Sequence, residues 1–547
     1  MYVLFSMPRY PAAIVLCAAF LGPLRVYAGD AGAASSTAAS PKFDIAEFRV
    51  LGNQVLPVIA IERAVYPFLG AQGDMQSVQK AADALQGAYK DAGFGTVLVD
   101  IPEQQVDDGV VRLRVLEGKV NRIRVRGARY FSGRQILAAL PALKPNETPN
   151  LPAVQQQLTA LNARTGDRSI TPVLKAGPEP GTVDVDLTVQ DTSPLHASLQ
   201  VDDRHTADTT PTRVTAAVSY SNLWQRQDTV SVLYQTAPAN TRNAEVLSTS
   251  YTGHAGTGNG LFAVSYLHTN SNVAALGTLG VLGKGSIYGA HWLQPMTNDE
   301  KSTQTFNVGL DYKDVTTEVS TNSTGGGVSM VAAPVNYINW SATYSGVFRR
   351  PTHTIAATLG VGFGVNGLVN AEAEFENARY SGNGKGGYGN DEYFYLRFSG
   401  EASQTLPAGF AALMRWSGQW TESPLVNNEQ FSVGGVDSVR GYLEAETLGD
   451  GGLAGSFELH SPQFGAHLAP SLRPLYAFVF VDGGVATLID PLPAQPYRTR
   501  LWSTGFGLRL ENASGLSGDL DYAVPQVDGT RTRDGGRRID FSFKYQY

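Results

Sequence analysis

From about His196 to Tyr547 the chain alternates apolar and polar residues, strand after strand, and helical spacing is absent. Phe306, Val308, Leu310 and Tyr312 alternate with Asn307, Gly309 and Asp311, and Ile338, Trp340, Ala342 and Tyr344 repeat the pattern. So do Ile355, Ala357, Leu359, Val361 and Phe363, and at the end Ile539, Phe541, Phe543, Tyr545 and Tyr547. Alternation alone fits a sandwich or a barrel, because both bury one face of each strand. The length of the tract and its aromatic strand ends favour strands facing lipid over a stack of soluble sandwiches. Only 17% of residues are charged, against about a quarter in soluble domains, while 24 tyrosines, 23 phenylalanines and 59 glycines are present. Beyond the N-terminus no apolar run approaches the roughly 18 residues of a membrane helix, so a span must be a closed barrel. At roughly 20–25 residues per strand and loop the tract predicts about 14–18 strands. The Gly/Asn/Ser/Thr-rich stretches 316–329 and 381–391 are expected as extracellular loops.

The N-terminus reads as a cleaved secretory signal over 1–28. Arg9 is its positive end, Pro11 to Leu24 its apolar core and Val26-Tyr27-Ala28 its cleavage site. The single cysteine, Cys17, falls inside it, which excludes a disulfide scaffold and cysteine-based metal or redox chemistry in the mature chain. Residues 29–42 form a small-residue linker. Two modules of order β-α-α-β-β follow, over 43–119 and 120–193, and the barrel occupies 194–547. In the first module, Ser77 is expected to cap a helix that stops at Gly93, with Val78, Ala82, Leu85, Tyr89 and Ala92 on one face. The strand "GVVRLRVLEG" alternates Val111, Leu113 and Val115 with Arg112 and Arg114. In the second, Val154, Leu158 and Leu161 share a helix face, and Val183, Val185, Leu187 and Val189 a strand face.

Signals for an enzyme are weak. The stretch "GKGGYG" (384–389) fits a dinucleotide-binding spacing, but no βαβ pattern surrounds it. There is no zinc-protease, nucleophile-elbow or phosphate-loop motif, and the eight histidines lack ligand spacing, so no cofactor is expected. The net charge of −7, without a basic block, argues against nucleic acid.

One charged pair stands out. "SVGGVDSVRGY" carries Arg440 among glycines, and about forty residues on "RPLYAFVFVDGG" carries one acid, Asp482. Leu475, Ala477, Val479 and Val481 suit lipid, which puts Tyr476, Phe478, Phe480 and Asp482 on the luminal face, because a lipid-facing carboxylate is costly. A loop folded into the pore would let Arg440 make a charge-assisted bond to Asp482, with Gly434, Gly435 and Gly441 allowing the sharp turns. On the residues alone, an exposed arginine and a solvated rim carboxylate remain open.

"VRGY" (Val439, Arg440, Gly441, Tyr442) followed by "FVDGG" (Phe480 to Gly484, with Asp482 at its centre) resembles the outer-membrane transporters of two-partner secretion. These are the TpsB family of haemolysin and filamentous-haemagglutinin secretion proteins, in the superfamily of BamA and TamA. The two modules resemble POTRA domains, and "VDDRHTADTTPTRVTAAVSYSNLWQRQD" resembles the first barrel hairpin. The resemblance implies a transmembrane β-barrel of about 16 antiparallel strands preceded by two α+β POTRA domains. It also implies an in-folded loop locked by Val439, Arg440, Gly441, Tyr442, Phe480, Asp482 and Gly484. The implied partners are a secreted exoprotein of the TpsA type, encoded nearby, and outer-membrane lipid, with the POTRA domains in the periplasm. Such relatives often begin with a plug helix, for which 29–42 lack apolar periodicity, and the final Tyr547 stands where phenylalanine is usual. Val111, Leu113 and Val115 are taken as a candidate edge for captured substrate. Two other functions stay open: a factor that inserts other barrels, and a passive porin or receptor.

Overall fold

The computed structural model describes residues 42–547 apart from 208, 242–243, 257, 271–272, 277–278, 283, 323–327, 366, 370–391, 470–471, 473, 492–495 and 513. The signal reading, nearly all of the linker and "GKGGYG" therefore lie outside the described residues. Contacts separate residues up to Thr192 from Ser193–Tyr547.

In the first module a three-stranded sheet has Val110–Leu116 at its centre, parallel to Glu47–Leu51 and antiparallel to Leu98–Asp100. The helices Val58–Val65 and Met75–Asp91 cover one face. Val78, Leu85 and Tyr89 pack there on Val111, Leu113 and Val115. A further pair, Phe43–Ile45 with Gly70–Gly73, was not foreseen.

Two expectations are corrected here. Val111, Leu113 and Val115 are not an edge: their strand is paired on both sides, and the three side chains are buried. Alternation specifies which face a residue takes and says nothing of which strand lies alongside. Leu113→Ala is expected to act on stability, costing about 2–5 kcal/mol in urea unfolding of residues 42–192. Ser77 is not the cap either. The helix starts one turn earlier at Met75, and Asp74 accepts hydrogen bonds from both the Ser77 backbone N–H and its hydroxyl at 2.8 Å. These bonds hold the Asp74 carboxyl below its ordinary value.

The second module repeats the plan. Thr182–Asp191 lies between Lys119–Arg126 and Arg168–Ala176, under the helices Gly133–Ala138 and Leu151–Asn162. Val154, Leu158 and Leu161 face Val185, Leu187 and Val189. On the opposite face Lys175 donates to Asp186 at 2.8 Å, and with Arg126 it holds that carboxyl below 3.8 against the opposing effect of burial. A lowered folded-state value means stabilisation that is complete above 3.8 and is lost as pH falls through the folded value. Asp186→Asn should therefore lower the urea midpoint at about pH 7, with the difference vanishing near about pH 2.

The remaining chain forms a closed, wholly antiparallel barrel of 16 strands. They are β1 (Leu195–Asp202), β2 (Arg213–Leu223), β3 (Asp228–Thr236), β4 (Val246–His254), β5 (Leu261–Thr269) and β6 (Lys284–Asn298). Next come β7 (Ser302–Asn322), β8 (Val328–Arg349), β9 (His353–Gly364), β10 (Phe394–Thr405) and β11 (Ala411–Thr421). The last are β12 (Gly451–His460), β13 (Leu475–Thr487), β14 (Arg498–Glu511), β15 (Leu516–Pro525) and β16 (Arg538–Gln546). Each pairs with its neighbours in sequence, and β16 closes on β1 with Ser542 opposite Asp202 and Gln546 opposite Ser198. Tyr547 extends that seam, its N–H donating to the Ala197 carbonyl at 2.8 Å.

Leu359, Val479, Val481, Phe506 and Phe543 point outward and are about half exposed, as a lipid-facing surface requires. Of the stretch 316–329, expected as a loop, 316–322 and 328–329 are strand, since β7 runs to Asn322 and β8 starts at Val328, and their β-branched threonines and valines suit a ladder. The rest of that stretch and the expected loop 381–391 lie outside the described residues.

Candidate functional site

The chain between β11 and β12, residues 422–450, turns back into the barrel. It carries its own small hairpin, Phe431–Val433 paired with Thr447–Gly449. Gly434, Gly435 and Gly441 have φ of 112°, 103° and 87°, a region that disfavours side chains. The loop's partners are side chains on the inward face of the wall, whose neighbours Phe457, Val479 and Val481 face outward.

Arg440 is 1% exposed and fully engaged. Nε donates to Asp482 Oδ2 at 2.7 Å, Nη2 to Asp482 Oδ1 at 2.8 Å and to Ser456 Oγ at 2.9 Å, and Nη1 to Glu458 Oε1 at 2.7 Å. The Arg440 backbone N–H also donates to Asp482 Oδ2 at 3.1 Å. The guanidinium lies 3.6 Å from the centroid of the Phe480 ring, a stacked cation–π arrangement. The bidentate grip needs both the fork geometry of arginine and a carboxylate fixed on a strand.

The rest of the motif shapes the seat. Val439 is fully buried with Val433, Ala486 and Leu501. Gly484 makes room for it: a methyl there would lie 2.5 Å from Val433 Cγ1 and 3.1 Å from Val439 Cγ2. Gly441 passes close to β15, where a methyl would meet Ala523 Cβ and Pro525 Cδ at 3.1 Å. The Tyr442 hydroxyl is 2.8 Å from the Val527 carbonyl and 3.1 Å from that of Trp502. The structure thus brings together all seven residues, Val439, Arg440, Gly441, Tyr442, Phe480, Asp482 and Gly484. Val111, Leu113 and Val115 lie in the core of the first module.

Several contributors escape a reading of the sequence. Glu458, from β12, also binds Arg415, and its Oε2 lies 2.7 Å from His460 Nε2. Asp521, from β15, accepts from Arg509 at 2.6 and 3.1 Å and approaches Arg440 to 3.9 Å. The signal for Glu458 is the same as for Asp482, a lone acid in a strand of apolar and small residues. Elsewhere on the loop, Asp437 receives two bonds from Arg204, at 2.7 and 3.0 Å. Glu446 accepts from the Thr532 N–H and hydroxyl at 2.8 Å.

Residues 181–510, more than half of the chain, match the family described as haemolysin secretion/activation protein ShlB/FhaC/HecB. The chain belongs to that family. Residues 43–118 match the ShlB-type POTRA domain. Among curated relatives, the outer membrane transporter CdiB of Escherichia coli O6:K15:H31 is 24% identical over 182 residues. That match covers 33% of this chain and 30% of the relative, so the chain spans less than a third of it. The heme/hemopexin transporter protein HuxB of Haemophilus influenzae is 21% identical over 500 residues, 88% of this chain and 84% of the relative. In solved structures, CdiB from Escherichia coli matches 94% of this chain and 93% of its own, with a TM-score of 0.60 at 16% identity. BamA from Haemophilus ducreyi lacking POTRA domains 1–3 gives 0.56 at 12% identity, over 92% of this chain and 100% of its own. These likenesses are of fold.

This ShlB-type chain is an outer-membrane β-barrel transporter with its N-terminal POTRA region in the periplasm.

Proposed function

We propose that this transporter exports one secreted polypeptide of the TpsA type, received unfolded from the periplasm, through the lumen of its barrel. The observation that carries the reading is the in-folded loop fastened to the inner wall of the barrel by Arg440 and Asp482. The POTRA sheets supply open edges on which an extended segment adds as a further strand. In the first sheet Glu47–Leu51, of 5 residues, is the longer and freer edge: the opposite strand Leu98–Asp100 has 3, and its Val99 N–H is taken by Gln86. Folding of the emerging polypeptide outside the cell gives direction without nucleotide.

The test is deletion of the transporter in a strain that makes the nearby-encoded exoprotein. The exoprotein should remain periplasmic while other outer-membrane barrels assemble normally. Secretion that continues in the deletion would refute dedicated export, and a general loss of barrels would instead identify an assembly factor.

A further inference from the structure

The loop has a further fully buried charge, held by other partners than those of Arg440 and absent from the motif. Glu429 is 0% exposed. Its Oε1 accepts from Lys313 and, at 2.7 Å, from the Tyr337 hydroxyl, and its Oε2 accepts from the Tyr395 hydroxyl at 2.9 Å. Its carbonyl accepts from Arg397 and Gln419, each at 2.9 Å. Leu425 and Val426 pack beside it on Val315, Tyr337 and Tyr395.

These partners sit on β7, β8, β10 and β11, whereas those of Arg440 sit on β12, β13 and β15. No side chain belongs to both sets. Asp450 ties this base of the loop together, accepting from the Leu425 N–H at 2.8 Å and from Gln430 Nε2 at 3.1 Å. Between base and tip the chain passes Gly434 and Gly435, whose positive φ makes them the natural swivel.

We propose that Glu429 is a separate fastening point, a foot that stays on the wall when the Arg440 tip releases. The loop then opens by swinging about Gly434 and Gly435, and cargo passes a displaced tip rather than an emptied lumen. A buried carboxylate that lost Lys313 and two hydroxyls together would be left uncompensated, so the foot resists release independently of the tip. The purpose of the swing rests on the export reading, but the motion is measurable without cargo.

The test uses the full-length transporter in cells, in a Cys17→Ser background, with one reporter cysteine in place of Val436 at the tip or of Asn428 at the foot. A membrane-impermeant maleimide reports accessibility. Arg440→Ala should raise labelling at 436 about a hundredfold and leave 428 near its starting rate, as local opening of one unit predicts. Tyr337→Phe with Tyr395→Phe preserves packing but removes two bonds to Glu429, and it should raise labelling at 428 and leave 436 protected. If both positions rise together in either variant, the loop moves as one body and the foot does not exist. If neither Glu429→Gln nor the double phenylalanine variant changes labelling at 428, the foot is likewise refuted. Because no cargo is present, these outcomes leave the export reading untouched, and loss of that reading leaves them interpretable.

Discussion

Arg440→Ala is expected to abolish export while the barrel still reaches the outer membrane. The substitution leaves Asp482 buried without its cation and takes one of the two arginines from Glu458. Removing one member of a buried ion pair costs about 3–5 kcal/mol, and each 1.4 kcal/mol is a factor of ten in population. The loop should then leave its seat more than about a hundredfold more often. The barrel's ladder does not depend on the loop, since sixteen strands close by main-chain pairing alone. Asp482→Ala should behave alike. Arg440→Lys should fall between, because an ammonium keeps the charge but cannot span both Asp482 oxygens while reaching Ser456 and Glu458. The measurements are the exoprotein in the medium and the heat-modifiable mobility of the transporter in isolated outer membranes.

Gly484→Val should reproduce that loss without touching a charge. The first added carbon already falls 2.5 Å from Val433 Cγ1, and the branched side chain must displace either Val433 or Val439 from a closed apolar seat. Overpacking of this kind costs about 1–3 kcal/mol, concentrated at the loop's contact with β13. The neighbouring residue is the control. A methyl at Gly483 finds its nearest atoms at 4.0 Å, so Gly483→Ala should export normally.

What sequence reading reached, and what it missed, follows from the range of the interactions. Outward apolar residues such as Val479 and Phe543 declare themselves by alternation, which is local. Arg440 and Asp482 were legible because one is the lone cation of its glycine-rich stretch and the other the lone acid of its strand, and because the motif around them resembles a family. Glu429 was not, since "NNEQ" looks like an ordinary polar loop. Its partners Lys313 and Tyr337 lie 116 and 92 residues away. The edge assignment of Val111, Leu113 and Val115 failed for a related reason, because strand order is set by tertiary pairing. The Asp74 cap was a matter of one turn: both Asp74 and Ser77 suit an N-cap, and backbone geometry chose the first.

Site-specific photocrosslinking of a stalled exoprotein tests the central claim most directly. A crosslinker would be placed at Glu401, on the β10 face shared with Tyr395 and Arg397, or at Val479, on the outward face of β13. Export through the lumen predicts adducts from position 401 and none from 479. Adducts from 479 alone, or from neither while export proceeds, would contradict passage through this barrel.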